Sequence, residues 1–149
     1  MRIVADTNVL VSALLWCGPP RDLLIAAEHG VMTLWTSPAL LDELSGVLVR
    51  EKFSQRLHRL RTTPQELLTG YVKLAHIVIP HRIPTVVHAD PDDNLVLACA
   101  DRADAAYIVT GDASLLALGR YQRTLIVPPA LFRARILRAR PTHPRSASA

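Results

Sequence analysis

The fold is decided by a short stretch near the start of the chain, RIVADTN, residues 2–8. Its β-branched residues predict a buried strand that ends at Asp6, and the apolar run from Asn8 to Trp16 predicts a helix directly after it. A strand that feeds straight into a helix is the unit of parallel sheets covered by helices. In such sheets the loops leaving the carboxyl ends of the strands share one crevice, so Asp6 is expected to lie where ligands bind.

The same alternation of strands and helices continues along the chain. Further strands are predicted at 31–36, 77–79, 107–110 and 124–127, and helices at 21–29, 37–50, 52–60, 63–75, 94 onwards, 113–118 and 129–140. The segment 80–92 contains three prolines, which indicates a surface connection. We therefore predict one three-layer α/β/α domain over residues 1–140 with a central parallel sheet of about five strands, followed by a disordered tail over 141–149.

Size and composition limit the class of protein. A chain of 149 residues with 50% hydrophobic content is long enough for one core and too short for two. No apolar stretch approaches the roughly 18 uncharged residues of a membrane span, and Asp6 interrupts the segment that could act as a signal peptide. We expect a cytoplasmic protein with no membrane partner. Cys17 and Cys99 lack zinc-site spacing and are expected to be reduced packing residues.

Charge is unevenly distributed along the chain. Up to Asp112 there are ten Lys and Arg residues against all thirteen acids, and after it come seven arginines with no acid. A second basic cluster, residues 50–61, surrounds His58. Both basic regions predict contacts with nucleic-acid phosphates, although an ordinary solvated surface is the alternative. The candidate contact residues are Arg50, Lys52, Arg56, Arg133 and Arg135.

Four acids lie just beyond the predicted strands or in the helices that follow them: Asp6, Glu43, Asp93 and Asp112. If they converge, each pair of carboxylates ~5 Å apart repels by roughly 3 kcal/mol at an effective dielectric of ~20. Such a cluster needs a cation or must take up protons. Oxygen ligands without His or Cys favour Mg²⁺ or Mn²⁺, and such a cation assists hydrolysis of phosphodiester bonds.

Each acid also has a structural alternative. Asp6 could cap the first helix. Asp42 is an equal candidate to Glu43 by composition. Asp92 and Asp93 both lie where a helix cap and first turn belong, so one of them is expected to be structural. The fourth acid lies in a tight turn, where aspartate is common for local hydrogen bonding. No single acid therefore identifies a metal site.

Taken as an ordered set, the motifs resemble those of PIN-domain ribonucleases, and most closely the VapC-like toxins of toxin–antitoxin modules. The motifs are Asp6-Thr7-Asn8-Val9, Ser37-Pro38 with Glu43-Leu44, Asp90-Pro91-Asp92-Asp93-Asn94 and Val109-Thr110-Gly111-Asp112. The resemblance covers about residues 1–137. It implies a PIN-like fold with a five-stranded parallel sheet, RNA as substrate and Mg²⁺ or Mn²⁺ as cofactor. It also implies a cognate antitoxin as partner and a homodimer.

The resemblance also assigns roles to individual residues. It makes Asp93 the third acid of the site, in preference to Asp92, because Asp93 directly precedes the apolar helix. The implied metal-binding and catalytic acids are Asp6, Glu43, Asp93 and Asp112, and the implied supporting polar groups are Asn8 and Thr110. By the same resemblance, Glu43 is a metal ligand or a base that positions water.

Two other functions are compatible with the sequence. A haloacid-dehalogenase-like phosphatase would use Asp6 as an aspartyl nucleophile, but Asn8 stands where its motif has a second aspartate, and Lys73 lacks a fitting context. A non-catalytic RNA-binding or regulatory module would keep the fold and the basic surface without cleaving RNA. A calcium-binding loop over 90–94 is excluded, because an EF-hand loop needs glycine where Leu95 stands.

Overall fold

The structure is a computed structural model that describes residues 1–87 and 91–139, with side chains as far as residue 135. The tail predicted over 141–149 and Asp90 lie outside the described residues. Six strands form one sheet: β1 Arg2–Ala5, β2 Thr33–Thr36, β3 His76–Ile77, β4 Tyr107–Val109, β5 Arg120–Tyr121 and β6 Thr124–Val127. Their spatial order is β3-β2-β1-β4-β6-β5, so β1 lies near the middle of the sheet.

The helices alternate with these strands. They are α1 Thr7–Leu15, α2 Pro19–Glu28, α3 Pro38–Leu48, α4 Ser54–Arg59, α5 Pro64–Leu74, α6 Pro91–Ala103, α7 Ala113–Leu118 and α8 Pro129–Ala139. A 3₁₀ turn at Glu51–Phe53 precedes α4, so the single helix predicted over 52–60 is divided in two. The Ser37 and Thr63 side chains cap α3 and α5, as expected for Ser or Thr directly before Pro.

Parallel pairing dominates the sheet. Val4 of β1 pairs with Trp35 of β2 on one side and with Ile108 of β4 on the other, both in parallel. The structure adds a sixth strand to the predicted five, because β5 pairs antiparallel with β6 through a tight turn. Gln122 in this turn has a φ of 52°. The two residues of β5 are too few to produce a periodic signal.

One predicted strand is displaced and shortened. The run over 77–79 predicted three strand residues, whereas β3 comprises only His76 and Ile77. Val78 still donates a backbone hydrogen bond to Thr36. Proline follows at position 80, and proline has no N–H with which to continue a ladder. This edge of the sheet is therefore short, and the chain leaves it as a connection without regular structure up to residue 87.

Both faces of the sheet are buried. Ile3 packs with α1, α2, α3, α5 and α8 in one apolar cluster, and its neighbour Val4 packs with α6 and α7 in the other. Because successive strand residues point to opposite faces, burial on both sides requires the near-continuous apolar runs seen in the sequence. The predicted three-layer α/β/α architecture with a mostly parallel sheet is confirmed.

Within residues 1–87 and 91–139, no single helix is long and apolar enough to cross a membrane. The pair α1 and α2 passes that test together only with an 85° bend between them. Most of their apolar side chains belong to the core described above.

The two cysteines differ in environment. Cys99 lies buried in α6, as expected for a packing residue, whereas Cys17 is exposed, so the packing role predicted for it is wrong. Burial raises the pKa of the Cys99 thiol to about 12, and a hydrogen bond with Ser37 opposes that shift. The thiolate is the reactive form of cysteine, so burial and the raised pKa both make the Cys99 thiol unreactive.

We expect a soluble disulfide reagent to label Cys17 quickly at about pH 8 in the native protein, and to label Cys99 only when α6 opens. The measurement is spectrophotometric thiol counting with and without denaturant. The variant Cys17→Ser should show no fast thiol. A fast thiol in that variant would contradict the buried position of Cys99.

Candidate active site

Buried polar side chains concentrate at one end of the sheet. Among the described residues, Thr124 is the exception, near the amino end, where its hydroxyl donates to the Ala105 carbonyl at 2.7 Å. The others lie at the carboxyl ends of strands or in the helices that follow. These are Asp6, Thr7, Thr36, Ser37, Asp93 and Thr110. Burying so many polar groups together is costly unless they bind one another or a ligand.

Asp6 links three elements at this end. Its Oδ1 accepts a 2.7 Å hydrogen bond from the Thr7 amide and caps α1. Its Oδ2 accepts a 2.8 Å hydrogen bond from the Thr110 hydroxyl, which follows β4. The Asp6 amide donates to the Val109 carbonyl at 3.0 Å. The capping role considered for Asp6 is therefore real, and it coexists with a buried position at the centre of the site.

Thr110 continues this chain of hydrogen bonds to Asp112. The Thr110 hydroxyl donates to Asp6 and accepts a 2.9 Å bond from the Asp112 amide. The Asp112 Oδ1 atom in turn accepts from the amides of Ser114 and Leu115, at 2.9 and 3.1 Å. Both of these capping bonds go to Oδ1, so neither of them occupies Oδ2. The supporting position predicted for Thr110 is consistent with this geometry.

Asp93 reaches the same end from α6. The Arg2 side chain at the start of β1 donates to the carbonyl of Ala103, which places the last turn of α6 at the amino end of the sheet. The first turn therefore lies at the carboxyl end. Asp93 is only 4% exposed, whereas Asp92 is exposed. Burial thus separates two adjacent acids that composition could not separate.

Asn94 fixes the segment that leads into α6. Its Oδ1 accepts from the amides of Val86 and Val87, and its Nδ2 donates to the Val87 carbonyl at 2.7 Å. These three bonds hold the connection after β3 against the first turn of the helix that carries Asp93. Sequence reasoning missed this role, because a side chain that binds the backbone seven residues away leaves no periodic signal.

Glu43 lies in the middle of α3. It is half-buried, whereas the adjacent Asp42 is exposed, so burial again favours the acid chosen from the motif. Asn8, predicted to support the site, is exposed in the first turn of α1. The neighbouring Thr7 was not predicted to support it, yet its hydroxyl is buried and makes no hydrogen bond among the described residues. A buried hydroxyl beside Asp6 is a further oxygen that a ligand could satisfy.

The local backbone favours negative charge at this end. Three helices, α1, α3 and α7, begin directly after the carboxyl ends of β1, β2 and β4. Their first amides carry partial positive charge, which stabilises carboxylates by about 0.3–1 kcal/mol at each terminus. Even so, no group of three or more His, Cys, Asp or Glu side chains within the described residues is arranged to hold a metal ion.

Two of the five basic residues predicted to contact nucleic acid, Arg56 and Arg135, lie at the end of the sheet opposite the candidate acids. Arg56 donates from Nε to the Leu15 carbonyl at 2.7 Å, at the end of α1 opposite Asp6. Arg135 donates to the hydroxyl of Tyr107, the first residue of β4, so it too lies at the amino end. The other three are Arg133, paired with Asp22 at 2.9 Å, Lys52, over the Phe53 ring, and Arg50, just beyond the end of α3.

The Thr110 hydroxyl should be required for the local structure of this site. Thr110→Val preserves shape but removes one donor and one acceptor from a fully buried position, so we expect the free energy of unfolding to fall by about 1–3 kcal/mol. The Asp112 amide should also exchange faster with solvent, because it loses its acceptor. The measurements are denaturant unfolding and amide hydrogen exchange.

Thr110→Ser is the matched control for this experiment. It loses a buried methyl group but keeps the hydroxyl, so the Asp112 amide should stay protected. Equal exchange rates for that amide in the Val and Ser variants would rule out the hydrogen bond between Thr110 and Asp112.

Comparisons with known proteins agree with this fold. A family model described as PIN domain matches residues 2–114. No curated protein matches the chain significantly. Among solved structures, VapBC2 from Rickettsia felis, crystallised with a DNA fragment from their promoter, superimposes with a TM-score of 0.54. The sequences are 18% identical, over 85% of this chain and 97% of the other. At that identity the similarity shows the fold alone.

Proposed function

The chain belongs to the PIN-domain family, and from this premise we propose that it is a metal-dependent ribonuclease. The observation that carries the proposal is the continuous hydrogen-bonded connection from Asp6 through Thr110 to the Asp112 amide, at the end of the sheet where α6 begins with the buried Asp93. It brings acids that are far apart in sequence to one end of the sheet, where ligands of open α/β sheets bind. PIN domains are generally nucleases, and the acidic composition of this end suits phosphodiester hydrolysis.

The donor atoms fit Mg²⁺ or Mn²⁺. They are carboxylate and hydroxyl oxygens, and the buried Thr7 hydroxyl adds one that no described protein group satisfies. Hard divalent cations prefer such oxygens, whereas zinc prefers His and Cys. When bound, the cation would supply an activated water and neutralise charge on the departing oxygen. Within the described residues no three carboxylates are arranged to hold such an ion, so small side-chain rotations would accompany its binding.

The roles of the residues follow from their surroundings. Among the described acids, Asp6 and Asp93 are the most buried, and we assign them to direct coordination. Asp112 keeps Oδ1 on the cap of α7, so its Oδ2 would face the cation. Glu43, half-buried on α3, would act as a ligand or as the base that positions water. The Thr110 hydroxyl fixes the position of Asp6 relative to Asp112 and needs no contact with substrate.

We further propose that the protein acts in the cytoplasm as the toxin of a toxin–antitoxin pair. The motif resemblance to VapC-like toxins supports this, as does the shared fold with the VapBC2 complex. A cognate antitoxin and a homodimer are the partners that this function implies. The phosphatase alternative receives no support from the family match. If the protein cleaves no RNA, a non-catalytic RNA-binding module is the alternative function.

In each pair of adjacent acids, Asp92 with Asp93 and Asp42 with Glu43, RNA cleavage should depend on the more buried member. With a mixed RNA pool and Mn²⁺ or Mg²⁺, Asp93→Asn and Glu43→Gln should each lower the rate by about 100-fold or more, because each removes a ligand or base. The exposed neighbours supply matched controls, since Asp92→Asn and Asp42→Asn should retain most of the activity. The measurement is product formation on denaturing gels.

The same assay checks metal dependence, and circular dichroism checks the folding of the variants. EDTA should stop cleavage by the wild type, and each variant should give the same circular dichroism spectrum. If Asp92→Asn abolished cleavage while Asp93→Asn did not, the assignment of the third acid would be wrong. If no RNA were cleaved by any chain, the non-catalytic module would become the better description.

Metal binding can be measured without any substrate. We expect Mg²⁺ or Mn²⁺ to raise the thermal midpoint measured in EDTA, since a ligand at 100 times its dissociation constant adds about 2.7 kcal/mol to stability. Asp6→Asn should lose this rise. In EDTA it should unfold near the wild-type midpoint, because weaker repulsion offsets its poorer bond with Thr110. An undiminished rise in Asp6→Asn would place the cation elsewhere.

A further inference from the structure

The end of the molecule opposite the acids carries an aromatic and basic surface that the proposed chemistry does not use. We define the Trp16 surface as Trp16, Lys52, Phe53, Arg56 and Arg59. Trp16 caps the carboxyl end of α1 and is 42% exposed, which is unusual for so large an apolar side chain. The other members belong to the 3₁₀ turn and α4.

Four members of the Trp16 surface contact one another. Trp16 packs edge-to-face against Phe53, with ring centroids 5.9 Å apart. The Arg56 guanidinium lies 5.8 Å from the Trp16 ring centroid, and the Lys52 ammonium lies 5.0 Å from that of Phe53. Arg59 follows Arg56 by three residues, so it lies on the same face of α4. Two aromatic rings are thus interleaved with two cations, Lys52 and Arg56, and a third cation, Arg59, follows on the same helix.

One hydrogen bond fixes this arrangement. Arg56 donates from Nε to the Leu15 carbonyl at 2.7 Å, which anchors α4 to the last turn of α1. An arginine bound in this way is held in place and still carries its full charge. Trp16 directly follows Leu15, so its exposed ring is held on a part of the backbone that this hydrogen bond anchors. Such preorganisation lowers the entropy cost of binding a ligand on the exposed part of the ring.

The surrounding charge is strongly positive. Residues 50–61 contain five basic side chains, and Glu51 is the only acid among them. The nearest acid on the following helix, Glu66, accepts a hydrogen bond from the Thr62 hydroxyl. Exposed cations gain little from one another and repel, so their concentration here is not explained by the stability of the fold. A polyanion would relieve that repulsion.

The Trp16 surface is also separate from the acids. Asp6 caps the first turn of α1 and Trp16 caps the last, and nine helical residues lie between them. At 1.5 Å per residue the ten steps from Asp6 to Trp16 correspond to about 15 Å along the helix. One short ligand cannot contact both ends, whereas a longer flexible chain could.

We propose that the Trp16 surface binds single-stranded RNA at a second position outside the cleavage site. The proposal rests on the proposed function, since it concerns the same substrate. A base would stack on the exposed part of Trp16, and phosphates on either side would contact Arg59 and Lys52. Stacking on aromatic rings beside a basic groove is how proteins bind single strands without reading their sequence. An acidic protein segment would use the cations but has no need of an exposed indole.

The test uses the full chain in EDTA, where no cleavage can occur, and a fluorescent single-stranded RNA of mixed sequence. Trp16→Ala should weaken binding about 5-fold or more, while Trp16→Phe, which keeps a ring, should retain most of the affinity. Arg59→Ala should reduce the slope of log affinity against log salt by about 0.7, the value for one phosphate contact. Arg120→Ala, on the edge strand β5 and outside the Trp16 surface, is the matched control and should change neither quantity.

A cleavage assay separates this proposal from the nuclease proposal. In Mn²⁺, Trp16→Ala should raise KM for the long RNA and leave cleavage of a dinucleotide unchanged, because a dinucleotide cannot span both ends. Weaker binding by Trp16→Ala without any cleavage would support the surface and refute the nuclease. Cleavage with unchanged binding in Trp16→Ala and Arg59→Ala would refute the surface alone. Equal displacement of the RNA by polyglutamate at matched charge would also refute it and indicate an acidic protein partner.

Discussion

The structure depends on how the Asp6 carboxylate is satisfied. Its two oxygens accept hydrogen bonds from the start of α1 and from Thr110 after β4, so one side chain holds a strand, a helix and the neighbouring strand together. A buried carboxylate is costly unless such bonds are made. The same bonds fix the orientation of Asp6 before any ligand arrives. A structural cap and a candidate ligand are therefore one group, and its position in the central strand makes it available for both.

The carboxyl end of the sheet tolerates several acids because the first amides of the helices that begin there carry partial positive charge. Asp6 caps α1 and Asp112 caps α7, so two of the four acids use amides that would otherwise lack partners. This arrangement stabilises the chain when no cation is present. It also opposes coordination, because a carboxylate oxygen that binds a helix amide is not directed at a metal. Asp112 resolves the conflict by using a single oxygen for its cap.

Most strands and helices could be predicted, since β-branched runs and Ser-Pro or Thr-Pro starts are local signals. The two residues of β5 could not, because an antiparallel edge of that length has no pattern of its own. Among the candidate site residues, Thr110 lies in the hydrogen-bonded chain, whereas Asn8 is exposed and Thr7 is buried. Which face of a first helical turn is buried depends on packing against other elements. The family resemblance ranked Asp93 above Asp92, and burial, which composition alone does not reveal, supports that order.

The position of the basic residues depends on topology in the same way. Arg56 lies at the end of the sheet opposite Asp6, because α1 and α3 both carry the chain from the carboxyl to the amino end, where α4 contacts the last residue of α1. A parallel sheet with helical crossovers has two chemically different ends, since helices begin at one and finish at the other. Acids are stabilised where helices begin, and cations where they finish. The fold therefore tolerates acids around Asp6 and cations at the Trp16 surface, but it does not by itself require five basic side chains within residues 50–61.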